Sequence, residues 1–347
     1  MLKKIQVLIV DDSAFIRQLF TNFLSSDNEI KVIGTAKDPY EAREKIKSLN
    51  PDVVTLDIEM PNMDGLSFLH KIMTLRPMPV VMVSTLTQKN AQETLKALEM
   101  GAIDFISKPV GSENEANIYS VKEELIEKVK IAAKARIKNN FPSVKIKSIK
   151  EFVPSFKTAN KIIAIGASTG GVEALREIIS ELPANSPPIV ITQHMPEKFT
   201  LSFAKRLDSI AKVQVHEAKH NQPILSGNIY IAPGNFHLEV AKFSGRYICK
   251  IIDSPIVSGH RPSVDVLFSS VAKTVGKNAV GVILTGMGRD GAEGLLAMRE
   301  NGSYNIGQNE QTCVVYGMPK IAKEKNAVNI ELPLENIANG ILNACLS

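Results

Sequence analysis

Cysteine is scarce in this chain, with three residues in 347 that lie far apart and form no CxxC pair. An odd and scattered set of cysteines predicts neither a disulfide framework nor a zinc site. No apolar run approaches the ~20 residues that a membrane-spanning helix needs, and no signal peptide precedes the first strand-like segment. We therefore expect a cytoplasmic protein. Tryptophan is absent as well, which excludes nothing.

The rest of the composition is ordinary for a globular protein, with 44% hydrophobic and 22% charged residues, and the length suffices for two domains. The net charge is +5, and part of the excess is local, because residues 122–150 carry nine Lys and Arg against three Glu. A basic run can bind nucleic acid or an acidic membrane surface. A solvated helix face followed by a linker explains the same run, and we favour that interpretation.

The first 110 residues alternate five apolar, strand-like runs with helical patterns. The runs are residues 5–10, 30–36, 52–57, 79–84 and 103–106. Strands that alternate with helices in this way form a parallel sheet covered by helices on both faces. We therefore predict a doubly wound α/β domain for this part of the chain.

Polar side chains stand at the ends of these predicted strands. Asp11 and Asp12 follow the first, Asp57 ends the third, Ser84 ends the fourth and Lys108 follows the fifth. Ligands of such sheets bind beyond the carboxyl ends of the strands. Three carboxylates at one edge would repel each other unless a cation lay among them, and hard oxygen ligands suit Mg²⁺. The pattern predicts a magnesium site at this edge.

Residues 5–109 resemble the receiver domain of bacterial two-component response regulators, a flavodoxin-like fold of five parallel strands. The matching motifs are Asp11-Asp12, LDIEMPNMDG around Asp57, Ser84 and Lys108-Pro109. The resemblance implies that Asp57 accepts a phosphoryl group from a histidine kinase, and that Lys108 and Ser84 contact the phosphoryl oxygens. It also implies Mg²⁺ as a cofactor of this domain, held at Asp11, Asp12, Asp57 and the backbone of Glu59. A carboxylate nucleophile, a metal and a lysine are what acyl phosphate chemistry requires.

Helical spacing continues to about residue 136 and is lost over residues 139–160, where proline, serine and lysine accumulate. That composition is typical of a linker of about twenty residues. We accordingly predict three parts of the chain. They are a receiver domain over residues 1–120, the end of a helix with a linker over 121–160, and a second domain over 161–347.

The second domain opens on the sequence KIIAIGASTGG, residues 161–171. A buried strand ends at a small polar turn, and an amphipathic helix begins directly after it. Ser168 lies in this turn, where free backbone N–H groups and the helix dipole both favour negative charge. The pattern predicts that Ser168 meets an anion, or a group that becomes anionic.

His194 and Asp290 occupy comparable positions later in the chain. His194 follows the apolar run 188–193, and Asp290 lies in a glycine-rich turn after the run 279–284. A nucleophile, a base and an acid on one rim of a parallel sheet form the geometry of a hydrolytic triad. Further short strands are predicted, including a hairpin, and complete a mainly parallel α/β domain. They are residues 213–215, 229–232, 237–241 with 247–252, 304–306 and 313–316.

Two other sites share the strand–turn–helix pattern at Ser168. A dinucleotide-binding turn would carry glycine at position 168 and an acidic residue after the next strand, where Gln193-His194 stands instead. An α/β-hydrolase fits the G-x-S-x-G of residues 166–170 literally, but that fold places its acid before its histidine. The order here is Ser, His, Asp, which favours the same chemistry on another scaffold.

The second domain resembles the catalytic domain of the chemotaxis protein-glutamate methylesterases, the CheB family. Five motifs carry the resemblance: GASTGG, ITQHMP, YIAPGNFHLEV, GHRPSVDVLF and LTGMGRDGAEG. Arg289 stands where asparagine is common, and Gln308-Asn309-Glu310 replaces a more usual Gln-Asp-Glu. The resemblance implies an enzyme that hydrolyses γ-glutamyl methyl esters on chemoreceptor helices and deamidates certain glutamines there, with no cofactor for the hydrolysis. Its expected partners are a chemotaxis histidine kinase and chemoreceptors, which alone would bring it to the membrane.

The expected mechanism assigns Ser168 as nucleophile, His194 as base and Asp290 as the group that orients the imidazole. The backbone N–H of Met287 is the expected oxyanion donor. Thr169 either positions the substrate or caps the helix. We also expect the unphosphorylated receiver to cover the rim that carries Ser168, and phosphorylation of Asp57 to loosen that cover.

A regulator with a nucleic-acid-binding output is the non-enzymatic alternative. The sequence of the second domain shows no helix-turn-helix pattern, and its helices alternate with strands. We therefore expect no nucleic-acid partner.

Overall fold

A computed structural model describes residues 3–61, 63–85, 87–109, 115–135 and 161–346 of the chain. The chain divides into two compact units, Met1–Pro142 and Ser143–Ser347. The greater part of the predicted linker, residues 136–160, lies outside the described residues, so the predicted domain limits stay a prediction. Within the described ranges, no helix has both the length and the apolar character needed to cross a membrane.

The first unit confirms the predicted doubly wound fold. Its five strands pair in parallel in the order β2-β1-β3-β4-β5. Its elements are β1 Ile5–Val10, α1 Ala14–Ser25, β2 Ile30–Ala36, α2 Pro39–Leu49, β3 Val53–Asp57, α3 Gly65–Leu75, β4 Val80–Ser84, α4 Gln88–Glu99, β5 Asp104–Ser107 and α5 Glu115–Lys134. Every residue of β3 and β4 is buried, because helices cover both faces of the sheet.

Local sequence fixes where the helices of this unit begin. The Ser13 side chain accepts the backbone N–H of Ile16 at the start of α1. Asp38 caps α2 in the same way, and Pro39 follows it at the first helical position. These caps satisfy backbone donors that have no partner inside the helix. The cap at Ser13 begins α1 directly after Asp11 and Asp12, so these two residues lie in the turn at the carboxyl end of β1.

The second unit is built on a seven-stranded sheet with the order β14-β13-β12-β6-β7-β9-β8, whose pairings are all parallel. A separate antiparallel hairpin of β10 and β11 confirms the predicted one. The elements are β6 Ile162–Ala167, α6 Gly171–Glu181, β7 Ile189–Gln193, α7 Phe199–Asp208, β8 Gln214–Glu217, β9 Asn228–Ile231, β10 His237–Phe243, β11 Arg246–Ile252, α8 Val264–Thr274, β12 Ala279–Ile283, α9 Ala292–Glu300, β13 Tyr304–Gln308, α10 Met318–Glu324, β14 Ile330–Leu332 and α11 Leu334–Leu346. This sheet confirms a second α/β domain.

The predicted strand at residues 313–316 is wrong. Only Tyr316 in that segment forms a bridge, to Gly286, and the sheet instead takes β14 at its edge. The Cys313 N–H donates to Asn309 O and the Val315 N–H to Thr285 Oγ1, so a turn and a side chain use the donors that a ladder would need. A short apolar run alone does not distinguish these two outcomes.

Candidate functional site

Ser168 stands on a tight turn between β6 and α6. Its own N–H donates to Thr285 O (3.0 Å), and its carbonyl accepts the Gly171 N–H (2.7 Å). Gly170 has φ +77°, and a Cβ there would lie 2.7 Å from Val314 Cβ, so this turn requires glycine. The turn directs the chain from a buried strand into the helix and leaves the Ser168 side chain half-buried at the rim.

His194 is brought to the same rim by β7, which neighbours β6. The backbone N–H of His194 donates to Ala167 O (3.1 Å). The side chain of Gln193 donates from Nε2 to the backbone carbonyls of Ser168 (3.0 Å) and His194 (3.1 Å). The imidazole Nδ1 lies 3.1 Å from Ser168 Oγ. Its Nε2 lies 2.7 Å from Asp290 Oδ2. The three residues that the sequence predicted as a triad thus lie together.

Asp290 is buried, and its carboxylate accepts four hydrogen bonds. Oδ2 accepts from His194 Nε2 (2.7 Å) and the Val264 N–H (2.7 Å). Oδ1 accepts from Ser263 Oγ (2.8 Å) and the Asp265 N–H (2.9 Å). Ser263 is the N-cap of α8, so the carboxylate sits at a helix N-terminus, where backbone donors and the helix dipole favour negative charge.

This environment keeps Asp290 ionised. Burial acts to raise its pKa, but the hydrogen bond and electrostatic attraction of the His194 N–H, with the N–H groups of Asp265 and Val264, hold the pKa below its usual value. Sequence reasoning missed the helix N-terminus as the support of Asp290. The signal was present in GHRPSVDVLF, where a serine precedes the helical spacing.

The hydrogen bonds define what the histidine can do. A carboxylate can only accept, so His194 carries its proton on Nε2 toward Asp290 and presents the lone pair of Nδ1 to Ser168 Oγ. A lone pair 3.1 Å from a hydroxyl oxygen is placed to take its proton. The arrangement is therefore chemically able to activate Ser168 as a nucleophile.

Met287 and Thr169 border Ser168. Among the described residues, no acceptor is hydrogen bonded to the Met287 N–H. The preceding residue, Gly286, packs so closely that a Cβ there would lie 2.7 Å from Ser168 Cβ, which places the Met287 peptide beside Ser168. Thr169 is buried, and its carbonyl accepts the Thr285 hydroxyl (3.0 Å).

In the first unit, Asp11, Asp12 and Asp57 bring one oxygen each within 4.8 Å of one another. Lys108 Nζ lies 2.8 Å from Asp57 Oδ2 and 2.9 Å from Asp11 Oδ2. Burial and the neighbouring charge of Asp11 raise the pKa of Asp57 to about 7, against the lowering effect of Lys108. One lysine therefore does not fully compensate the two buried carboxylates.

The donor set suits Mg²⁺. Asp11 Oδ2 is buried, and its partner is Lys108 Nζ at 2.9 Å, the same ammonium group that pairs with Asp57. Three carboxylates that lie this close together and have one lysine between them form an environment that a hard cation stabilises. Glu59 donates its N–H to Asp57 Oδ1 (3.3 Å), and its side chain is exposed.

Ser84 is buried at the same edge, but its hydrogen bonds do not lead to Asp57. Its hydroxyl accepts from Thr94 Oγ1 (3.0 Å) and donates to Thr85 O (3.2 Å). Lys108, in contrast, is already paired with Asp57. The structure therefore unites Asp11, Asp57 and Lys108 by direct contacts and leaves Ser84 engaged with α4.

Comparisons with known proteins cover both units. Residues 163–341 match the CheB methylesterase family, and residues 7–118 match the response regulator receiver domain. The chain is 52% identical over 338 residues to a protein-glutamate methylesterase/protein-glutamine glutaminase of Geobacter metallireducens, covering 95% of this chain and 93% of that one. It is 51% identical over 342 residues to the protein of that name in Salmonella typhimurium, covering 98% and 97%.

The second unit is similar to a solved structure. The methylesterase catalytic domain of Thermotoga maritima CheB is 39% identical to this chain, with a TM-score of 0.52, and the match covers 53% of this chain and 98% of that domain. Matches of this extent decide the family. The chain belongs to the CheB methylesterase family, with a response regulator receiver domain ahead of the methylesterase domain.

Proposed function

We propose that this protein is a hydrolase of chemotaxis adaptation that removes methyl esters from glutamate side chains of chemoreceptors and deamidates specific glutamines there. The name shared by its relatives, protein-glutamate methylesterase/protein-glutamine glutaminase, supports both activities. The observation that carries the proposal is the continuous contact from Ser168 Oγ through His194 to the buried carboxylate of Asp290. The methylesterase part would comprise residues 161–347 and the receiver residues 1–120.

The reaction runs in two steps. Ser168 Oγ attacks the ester carbonyl carbon while its proton passes to His194 Nδ1, and the imidazolium then protonates the departing methanol, or ammonia from a glutamine. A water molecule next gives a proton to His194 and attacks the acyl-enzyme, which releases glutamate and restores Ser168. Asp290 stays ionised throughout and stabilises the imidazolium.

Negative charge on the carbonyl oxygen would be met by the Met287 N–H, which makes no hydrogen bond within the described chain. Loss of one such donor costs about 10²–10³ in rate in other hydrolases. Thr169 would support the turn next to the nucleophile. No step of this mechanism calls on a metal.

The receiver would control this reaction. We propose that Asp57 takes a phosphoryl group from a chemotaxis histidine kinase, with Asp11, Asp12, Asp57 and the Glu59 backbone holding Mg²⁺. Bound Mg²⁺ would neutralise charge on the phosphoryl oxygens. Lys108 already contacts Asp57, and Ser84 would leave Thr94 to bind the phosphoryl group. Phosphorylation would then release a restraint on the hydrolase.

The test is methanol release from methylated receptor membranes by the full chain, the Ser168→Ala variant and the matched Ser209→Ala variant. Ser209 is exposed at the end of α7, away from the triad residues in sequence and hydrogen bonding. We expect Ser168→Ala to abolish release and Ser209→Ala to leave it unchanged. Undiminished turnover by Ser168→Ala would overturn the proposed triad.

Control by the receiver is tested separately with a small phosphodonor, such as acetyl phosphate, and Mg²⁺. The donor should accelerate the wild-type chain and leave Asp57→Asn unchanged. A fragment beginning at residue 161 should match or exceed the phosphorylated chain. If that fragment is no faster than the unphosphorylated full chain, the proposal that the receiver restrains the hydrolase is wrong.

The alternative function, binding of nucleic acid by the second unit, has no supporting observation, since the described helices of that unit alternate with strands.

A further inference from the structure

A second imidazole covers the face of His194. The ring of His260 stacks on that of His194 with centroids 3.6 Å apart and planes inclined by 19°. The two ring nitrogens of His194 already point to Ser168 and Asp290, so its edge is occupied and its face is the surface left for a neighbour. The mechanism proposed above assigns no role to His260.

His260 is held by a tight turn. The backbone N–H groups of Val257 and His260 donate to each other's carbonyls at 3.2 and 3.0 Å. Ser258 and Gly259 inside the turn have φ of +53° and +83°, in the left-handed region. A residue other than glycine at positive φ is uncommon and is kept only where its surroundings hold it.

What holds Ser258 is Asp265, in the first turn of α8. Ser258 Oγ donates to Asp265 Oδ2 (2.8 Å), and Asp265 Oδ1 accepts the Gly294 N–H (2.9 Å). The backbone N–H of the same Asp265 donates to Asp290 Oδ1 (2.9 Å). One residue thus supports both neighbours of the catalytic imidazole, the carboxylate at its edge and the turn that places His260 on its face.

We propose that His260 is a positioning residue, whose stacked ring keeps the His194 imidazole in the plane that joins Ser168 Oγ to Asp290 Oδ2. The inference rests on the proposed function of the triad. The Nδ1 lone pair lies in the ring plane, so a tilt of the ring turns it away from the hydroxyl proton. Flat contact on one face resists that tilt, and packing of this kind locks the rotamers of reactive groups.

The test measures how fast Ser168 reacts with a fluorophosphonate probe in the full chain, which requires no receptor substrate. Ser168 Oγ forms a bond to phosphorus, fluoride leaves, and the hydroxyl proton passes to His194. His260→Ala should slow labelling by about 10–100-fold, because small misplacements of reacting groups cost rates of this order. His260→Phe, which keeps a flat ring, should recover most of the rate. Ser258→Ala should slow labelling several-fold.

His220→Ala serves as the matched control, because His220 is exposed and its ring lies by Ile251 O. It should label at the wild-type rate. Unfolding temperatures of all variants are measured in parallel. A wild-type rate for folded His260→Ala overturns the proposal, and so does a folded His260→Phe as slow as His260→Ala. If His260→Ala does not fold, an unchanged rate for Ser258→Ala overturns it.

The Ser168→Ala variant distinguishes a failure of the His260 proposal from a failure of the proposed function on which it rests. If the probe modifies Ser168→Ala as rapidly as the wild type, the nucleophile itself is misassigned and the proposed function fails. If Ser168→Ala is silent while His260→Ala reacts at the wild-type rate, the triad stands and only the positioning role of His260 is refuted.

Discussion

Replacement of Asp290 by asparagine tests the electrostatic part of the site most directly. The carboxylate accepts two hydrogen bonds on each oxygen, from His194 and Val264 on one and from Ser263 and Asp265 on the other. An asparagine amide offers one accepting oxygen and one donating NH₂ group. Either orientation of the amide therefore directs an NH₂ group at a backbone N–H, of Val264 or of Asp265.

We expect Asp290→Asn to lower both the stability of the chain and its rate of hydrolysis. One buried N–H left without an acceptor costs about 1–3 kcal/mol of stability. If the NH₂ group faces His194, it donates to Nε2 and moves the ring proton to Nδ1, where it faces Ser168 and blocks the base. The equivalent change in serine proteases lowers the rate by roughly 10⁴, and we expect a fall of that order for Asp290→Asn.

Methanol release by the full chain, together with urea unfolding, measures the two effects. Asp253→Asn is the control, since the Asp253 side chain is 74% exposed and an amide oxygen can still accept from Arg261. It should retain activity and stability. If the rate of Asp290→Asn stays within about tenfold of wild type while the variant is folded, Asp290 does not set the state of His194 and the reasoning is refuted.

Three further predictions concern the acidic site, the turn that carries Ser168, and the cysteines. Burial raises the pKa of Asp57 from 3.8, its value in the unfolded chain, to about 7. The unfolded chain therefore loses this proton at lower pH than the folded chain, and the free energy of unfolding falls as pH rises from about 4 to about 7. Mg²⁺ should therefore release protons on binding near pH 7 and raise the unfolding temperature more at pH 8 than at pH 5; calorimetry in two buffers checks this, and equal effects at both pH values contradict it. Gly286→Ala should abolish esterase activity because its Cβ would lie 2.7 Å from Ser168 Cβ, whereas Gly245→Ala, at a hairpin turn with φ +78° and no atom within 4 Å, should cost only about 1 kcal/mol of stability. Equal activities for the two glycine variants would show that the turn has room. The three cysteines are buried, which raises the pKa of each thiol to about 12, so a thiol reagent should react at pH 7.5 only as fast as the chain opens; stoichiometric labelling of the folded chain would contradict their burial.

The sequence alone determined the two α/β units and the residues at their strand ends. Apolar runs such as 162–165 predict buried strands because every residue of a sheet covered on both faces avoids water. Glycines after such a run predict a tight turn, and that turn exposes Ser168. Carboxyl ends of parallel strands meet at one edge, so Asp11 and Asp57 were expected together, and the structure places them so. These features follow from local pattern and the rules of parallel sheets.

Only the tertiary structure decided what holds the Asp290 carboxylate and what covers the face of the His194 imidazole. Asp290 depends on backbone donors at the N-terminus of α8, and His260 reaches His194 through a turn fastened to Asp265. None of these contacts joins neighbours in sequence, and a lone histidine or serine in a loop carries no periodicity that reveals its partner. The charge state of Asp290 and the plane of His194 are therefore properties of the packed fold, because burial and long-range hydrogen bonds exist only after the elements assemble.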